Sequence, residues 1–405
     1  MSKERSFLLA TGFASAASVI IPIEMAAIAT EAGDSHGGKY AGLMFAAVSV
    51  ATAISTPFVP MWVQRWGCSP LLRNAMFIRG VLFIGIGLAA VFSAADYPLI
   101  LVASPLIGTL IAIRMTCGPL LGRVILSPDS PVMWSRRQLF RAPAAAIGAA
   151  VGGFLASSEV VAGIGLILGG VLTLPLGFVA ASTDVPEGPH AAPHPRRFLA
   201  ADLKAGWQQT STRVGFCVAV ICSFVLTPMH SMILPVVAEL DHGELWRGVG
   251  LVLASLQLGS MGTKFVVDRW RTAPNNPNCR IAVVAMTISG ALVLSLAGSA
   301  LWLAGYPELA AWIVLAAGIA LFRGVVTAAQ VGVFLDDACQ TNDASGAAAL
   351  NLVRTVSTTV ALLVWGVTLD AGGAEFLLAG AGFLAIAAGA VLLPLSRRQN
   401  GRITR

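Results

Sequence analysis

The sequence predicts an all-α membrane protein of twelve transmembrane helices, arranged as two pseudo-symmetric bundles of six. Three observations carry that expectation. The 405 residues are 56% hydrophobic and only 11% charged, against roughly 25% charged for a soluble domain, which excludes a water-soluble single-core protein. Twelve stretches approach or exceed the roughly 20 apolar residues that cross a bilayer core. The chain also repeats itself: Val63-Gln64-Arg65-Trp66 returns as Val267-Asp268-Arg269-Trp270, 204 positions later.

In chain order the first-half spans are 6–30, 40–63, 74–93, 97–121, 134–157 and 160–181. The first follows Lys3 and Arg5 and carries Glu24, which argues against a cleaved leader. The second ends at the Gln64-Arg65-Trp66-Gly67 corner, the fourth contains Arg114, and the fifth opens on Arg136, Arg137 and Arg141. Second-half spans are 212–239, 246–267, 280–303, 308–335, 347–369 and 375–395. The repeat recurs within them. Arg114 with Val124-Ile125-Leu126 matches Arg323 with Val333-Phe334-Leu335, and Gln138-Leu139-Phe140-Arg141 matches Asn351-Leu352-Val353-Arg354. Backbone groups exposed to lipid cannot go unpaired, so each stretch must be a helix, and internal Gly and Pro are tolerated where neighbours pack or a cavity lies.

The expected organisation is a bundle over 1–181, a linker over 182–211, a second bundle over 212–396 and a tail over 397–405. Pro186, Pro189, Pro193 and Pro195 break the hydropathy in the linker, and Phe198 to Trp207 then shows helical apolar spacing, expected of an amphipathic surface helix. Of the 26 Lys and Arg, only Lys39 and Arg247 fall on one side of the twelve spans; Arg114, Arg323 and Arg354 lie within spans and 21 lie on or near the other side. The positive-inside rule then places both termini in the cytoplasm, in a multi-pass protein of the cell (inner or plasma) membrane. The net charge of +6 is a topology signal and implies no nucleic acid. Six cysteines fall on or near the inner side, so free thiols are expected. No metal site and no cofactor are expected.

The chain resembles the major facilitator superfamily over essentially its whole length. Gln64-Arg65-Trp66-Gly67 sits where that family carries Asp-Arg-x-Gly, with Gln in place of Asp, and Asp268-Arg269 supplies the second copy. The resemblance implies an inner gate that uses Arg65, Asp268, Arg269, Arg141, Arg354 and Asp343, Asp268 bracing against the basic start of the fifth helix. As plain topology residues, Arg65 and Arg269 would serve equally well. Gly148-Ala149-Ala150-Val151-Gly152-Gly153 resembles the end of the antiporter motif, with Ala149 replacing Pro; glycines spaced by three or four let helices approach closely. In drug-exporting members, a fourth-helix Arg with a nearby Gly tunes proton coupling, a role that falls here to Arg114 and Gly118.

A charge inside a span should face the bundle interior. Glu24 and Arg114 are accordingly expected to form a proton-coupling pair, and His230, Gln257, Arg323 and Gln330 to line a substrate cavity. Gly259 to Lys264 lacks the full phosphate-loop spacing, and no HExxH, CxxC or GxSxG is present, so an enzyme is not expected. The resemblance implies a monomeric secondary transporter in the lipid bilayer that uses alternating access, with a small molecule and protons as partners and proton-coupled efflux as its action. An uptake symporter on the same fold and a non-transporting membrane sensor are the alternatives. One buried Glu against several Arg gives an anionic or zwitterionic substrate equal standing with a cation.

Overall fold

The computed structural model describes residues 2–32, 37–92, 97–126, 130–156, 159–183, 210–225, 245–271, 278–302, 306–333 and 343–397. Among them every regular element is a helix. The first half comprises α1 Lys3–Ala32, α2 Gly37–Ser55, α3 Val59–Trp66, α4 Cys68–Val91, α5 Tyr97–Ile125, α6 Ser130–Leu155 and α7 Glu159–Ala181. The second comprises α8 Thr210–Val225, α9 Leu245–Gly259, α10 Thr263–Arg271, α11 Asn278–Trp302, α12 Tyr306–Gly332 and α13 Asp343–Arg397. Eleven segments of the described residues are long and apolar enough to span, with α8 a shorter apolar helix. The rest of the seventh expected span, and His230 with it, lies outside the described residues, as does the linker beyond 183 up to 209.

The sequence repeat has a structural counterpart. A 3-10 turn, Thr56–Phe58, separates α2 from α3, and a second, Ser260–Gly262, separates α9 from α10, at the same offset of 204 positions. Each half therefore tightens its helix at the same point before the short amphipathic end that carries the Arg65 or Asp268 signature. Gly67 follows α3 with φ 79°, a left-handed conformation that costs a residue with a side chain about 1 kcal/mol or more. The final Gly of the signature thus lets the chain turn from α3 straight into α4.

The last two expected spans share α13, as Ala348–Trp365 and Glu375–Ser396. Their contacts run in opposite senses. Gly389 lies against Thr287 and Gly382 against Leu294 of α11, so the second segment is antiparallel to that helix. Asn351 reaches Thr116, near the end of α5 that Arg123 and Ile125 mark, so the first segment starts on the side where the second ends.

Within the halves, α4 packs on α7, α1 on α6 and α7, and α11 on α12 and α13. The α4–α7 seam is close: a methyl on Gly87 would stand 2.5 Å from the Gly163 carbonyl oxygen, and one on Gly170 2.7 Å from that of Gly80. Between the halves, α6 packs on α9 and α2 on α13. The repeat relates these two seams, since it pairs α2 with α9 and α6 with the first part of α13. Such a pseudo-twofold exchange of contacts leaves a central space between the halves, where repeats of this kind place a site near the midplane.

Candidate functional site

A cavity of about 470 Å³ lies between the halves, within the range of small-molecule sites. The first half supplies Ser15 and Ser18 from α1, Thr52 from α2, and Trp134, Gln138 and Arg141 from α6. The second supplies Ser223, Gln257, Arg323, Gln330, Arg354 and Thr358, among others. Three guanidinium-bearing residues line it, and none of its described lining residues is Asp or Glu.

Two of the arginines are held by neutral groups, and the third stands near both. Arg141 donates from Nε to Ser15 Oγ at 3.0 Å and lies 5.2 Å from the Trp134 ring centroid. Arg354 donates from Nε to Gln330 Oε1 at 3.1 Å, and its Nη2 donates to the same oxygen. Arg323 is within electrostatic reach of both Arg141 and Arg354. Gln330 is 1% exposed, and its Nε2 has no acceptor among the described residues. The wall therefore offers positive charge and a spare amide donor, a combination that suits a carboxylate or another oxyanion. Arg141 and Arg354 are also repeat partners, so the pseudo-twofold axis brings equivalent cations to one space from opposite sides.

Of the expected cavity residues, Gln257, Arg323 and Gln330 line this space. His230 lies outside the described residues. Arg141 and Arg354, assigned by sequence to the inner gate, line the cavity as well. The Arg354 guanidinium is held by Gln330, and the side chain of Asp343, its expected gate partner, lies outside the described residues.

Glu24 and Arg114 are not joined. The Arg114 Nη1 donates to Ser18 Oγ, six residues and about 9 Å before Glu24 along α1. Glu24 is 0% exposed and neither carboxyl oxygen has a hydrogen-bond partner among the described residues. It faces α7, where a methyl on Gly165 would stand 2.5 Å from Glu24 Oε1. One helix thus presents Ser15 and Ser18 to the cavity and Glu24 to the opposite seam.

Asp268 does not brace α6. It is ion-paired at 2.7 Å with Lys264 one turn back on α10, whereas Arg136 donates to the Leu126 carbonyl and Arg137 stacks over Phe7 and Trp134. Arg65 is exposed and lies over Trp66. Arg269 sits beside Asp268 on α10.

The glycines of α6 split between two partners. Gly148 and Gly152 face α1, a methyl on Gly148 coming within 2.7 Å of the Ala16 carbonyl oxygen. Gly153 faces Gly250 of α9, whose own added methyl would lie 3.6 Å from Gly153 Cα. The stretch read as a motif thus touches α1 of its own half and α9 of the other.

Sequence reasoning missed two residues. Trp134, the aromatic floor under Arg141, carried no polar signal in an apolar span. Arg79, counted there with the residues near the inner side, is 3% exposed and sits midway along α4; a lone Arg five residues into the 74–93 span was the available clue.

The major facilitator superfamily model matches residues 6–361. The chain belongs to that superfamily. No curated protein matches the sequence. Among solved structures it is similar to the human organic anion transporter MFSD10 (TETRAN), with a TM-score of 0.70 and 13% identity over 97% of this chain and 100% of that one. At that identity the likeness shows the fold. The superfamily membership makes the chain a multi-pass membrane transporter rather than an enzyme.

Proposed function

We propose that this superfamily member exports a small organic anion in exchange for protons by alternating access. One observation carries the substrate class: Arg141, Arg323 and Arg354 converge on a central cavity with no carboxylate among its described lining residues. A cationic substrate would meet like charge from both halves, whereas an anion replaces the water those guanidiniums would otherwise need. The organic anion in the name of the human relative agrees with this chemistry.

Glu24 is the proton site in this reading. An ionised carboxylate without a partner at such depth costs several kcal/mol, so the seam against Gly165 suits the neutral acid. A shift of α1 that wets Glu24 or brings a guanidinium to it favours release, and the same shift carries Ser15 and Ser18 past the substrate. Differential affinity of the two conformations for the proton is what couples it to the cavity. The Asp268 helix end packs against α6, so this contact between halves belongs to the gate on the basic side, taken as cytoplasmic.

The test is uptake by proteoliposomes under an imposed pH gradient, with labelled organic anions and cations of matched size. Proton-driven exchange of anions alone is expected. Transport restricted to cations overturns the substrate class, indifference to the gradient overturns proton coupling, and co-migration of proton and substrate indicates symport.

A further inference from the structure

Arg79 is a buried guanidinium with unmet donors among the described residues. It sits eleven residues from Cys68 and twelve from Val91 in α4, and is 3% exposed. Its Nε and Nη1 have no hydrogen-bond partner among the described residues, and its one described contact is the Phe83 ring at 5.6 Å. A cation–π contact contributes at most about 2 kcal/mol, whereas a buried unpaired charge costs several. Arg does not escape by losing its proton. A counter-charge is therefore required.

The helix registers show what stands opposite. Gly80 packs on Gly170 of α7, and Gly169 packs on Ile21 of α1, so Arg79 lies level with the turn of α1 that holds Ser18. Ser18 Oγ accepts from Arg114 on α5, and α4 packs directly on α5. Among charged groups acting on Arg114, Arg79 is foremost. Two guanidiniums thus share one level of the first bundle, and the acceptor that Arg114 finds there is a neutral hydroxyl that already donates to the Ala14 carbonyl at 2.6 Å. Glu24, the buried acid of this bundle, lies six residues further along α1 against Gly165. Neither Arg79 nor Arg114 lines the central cavity, although Ser18, which holds Arg114, does; an anion in the cavity therefore reaches Ser18 but leaves Arg79 without a counter-charge.

We propose that a small inorganic anion, with chloride as the representative, binds between Arg79 of α4 and Arg114 of α5 beside Ser18, as a structural counter-ion of the first bundle. Its chemistry is that of a halide held by guanidinium N–H donors behind the Ser18 wall, distinct from the organic anion of the cavity.

Halide titration of the purified, detergent-solubilised protein tests this. The melting temperature is followed in sodium chloride or bromide against sodium gluconate at equal ionic strength. A saturable rise is expected for the wild type, and a flat response for Arg79→Gln. Should that variant not fold, the anomalous signal of bromide in wild-type crystals decides, a peak between Arg79 and Arg114 being expected. A wild type indifferent to halide, an equal rise in Arg79→Gln, or bromide found only at the cavity arginines overturns the site. Neither measurement involves transport, so its outcome is separate from that of the proposed function.

Discussion

The Arg354 guanidinium donates twice to the side-chain oxygen of Gln330, from Nε and from Nη2, while the Gln330 amide nitrogen has no acceptor among the described residues. A neutral amide fixes the geometry of a cation and cancels none of its charge. In the proposed reading the pair is a preorganised half of an anion site, its donors directed before any ligand arrives.

Arg354→Gln should weaken binding of the transported organic anion about 10- to 100-fold, since a hydrogen bond to a charged group contributes roughly 1.5–3 kcal/mol. Arg354→Lys should recover only part of this, because an ammonium lacks the fork that meets Gln330 Oε1. Calorimetric titration of both variants is the check; wild-type affinity in Arg354→Gln would remove the residue from the site.

Glu24→Gln keeps the shape of the side chain and removes the proton. Transport driven by a pH gradient should be lost, while substrate exchange at equal pH on both sides remains measurable. Concentrative transport at the normal rate in this variant would return Glu24 to the role of a packing residue.

Gly148→Val should disrupt the α1–α6 seam, because even the first carbon would lie 2.7 Å from the Ala16 carbonyl oxygen. Overpacking of this kind costs about 1–3 kcal/mol, visible as a lowered melting temperature with reduced turnover. A stable, fully active Gly148→Val protein would show that the helices separate there without cost.

Asp268→Asn should change stability by no more than about 1 kcal/mol, since the half-exposed Asp268–Lys264 pair is of the weak surface class. A larger loss of stability or turnover would reveal that Asp268 engages α6 in another conformation. Thermal melts and initial rates distinguish the two.

Topology is best read from an introduced thiol. Cys68 and Cys279 are 6% and 1% exposed, so their silence toward a labelling reagent reports burial as much as sidedness. A cysteine replacing exposed Gln64 should stay unlabelled by a membrane-impermeant maleimide in intact cells and react after permeabilisation. Labelling in intact cells would invert the orientation inferred from the basic loops.

Span count, repeat and corner motifs were legible because each rests on a property that one residue carries by itself: apolarity, charge, or the conformational freedom of Gly67. Pairings were less so. Glu24 and Arg114 are both within spans, but helix rotation decides which neighbour an in-span charge meets, and here it sends Glu24 to α7 and Arg114 to Ser18. Arg141 and Arg354 read as gate residues from their place near span ends, yet long flexible side chains reach the central cavity. Arg79 was hidden by the strongly apolar residues around it, and Trp134 has no charge to betray it.

The repeat relation between Arg141 and Arg354 bears on what the protein can and cannot decide for itself. An axis along the membrane normal exchanges the halves and leaves the two faces of the bilayer distinct, so in the proposed reading an anion held on it is shared between one arm from each bundle whichever side the cavity opens to. The direction of the proposed exchange does not follow from that pairing; it is set by the relative concentrations of proton and anion across the bilayer.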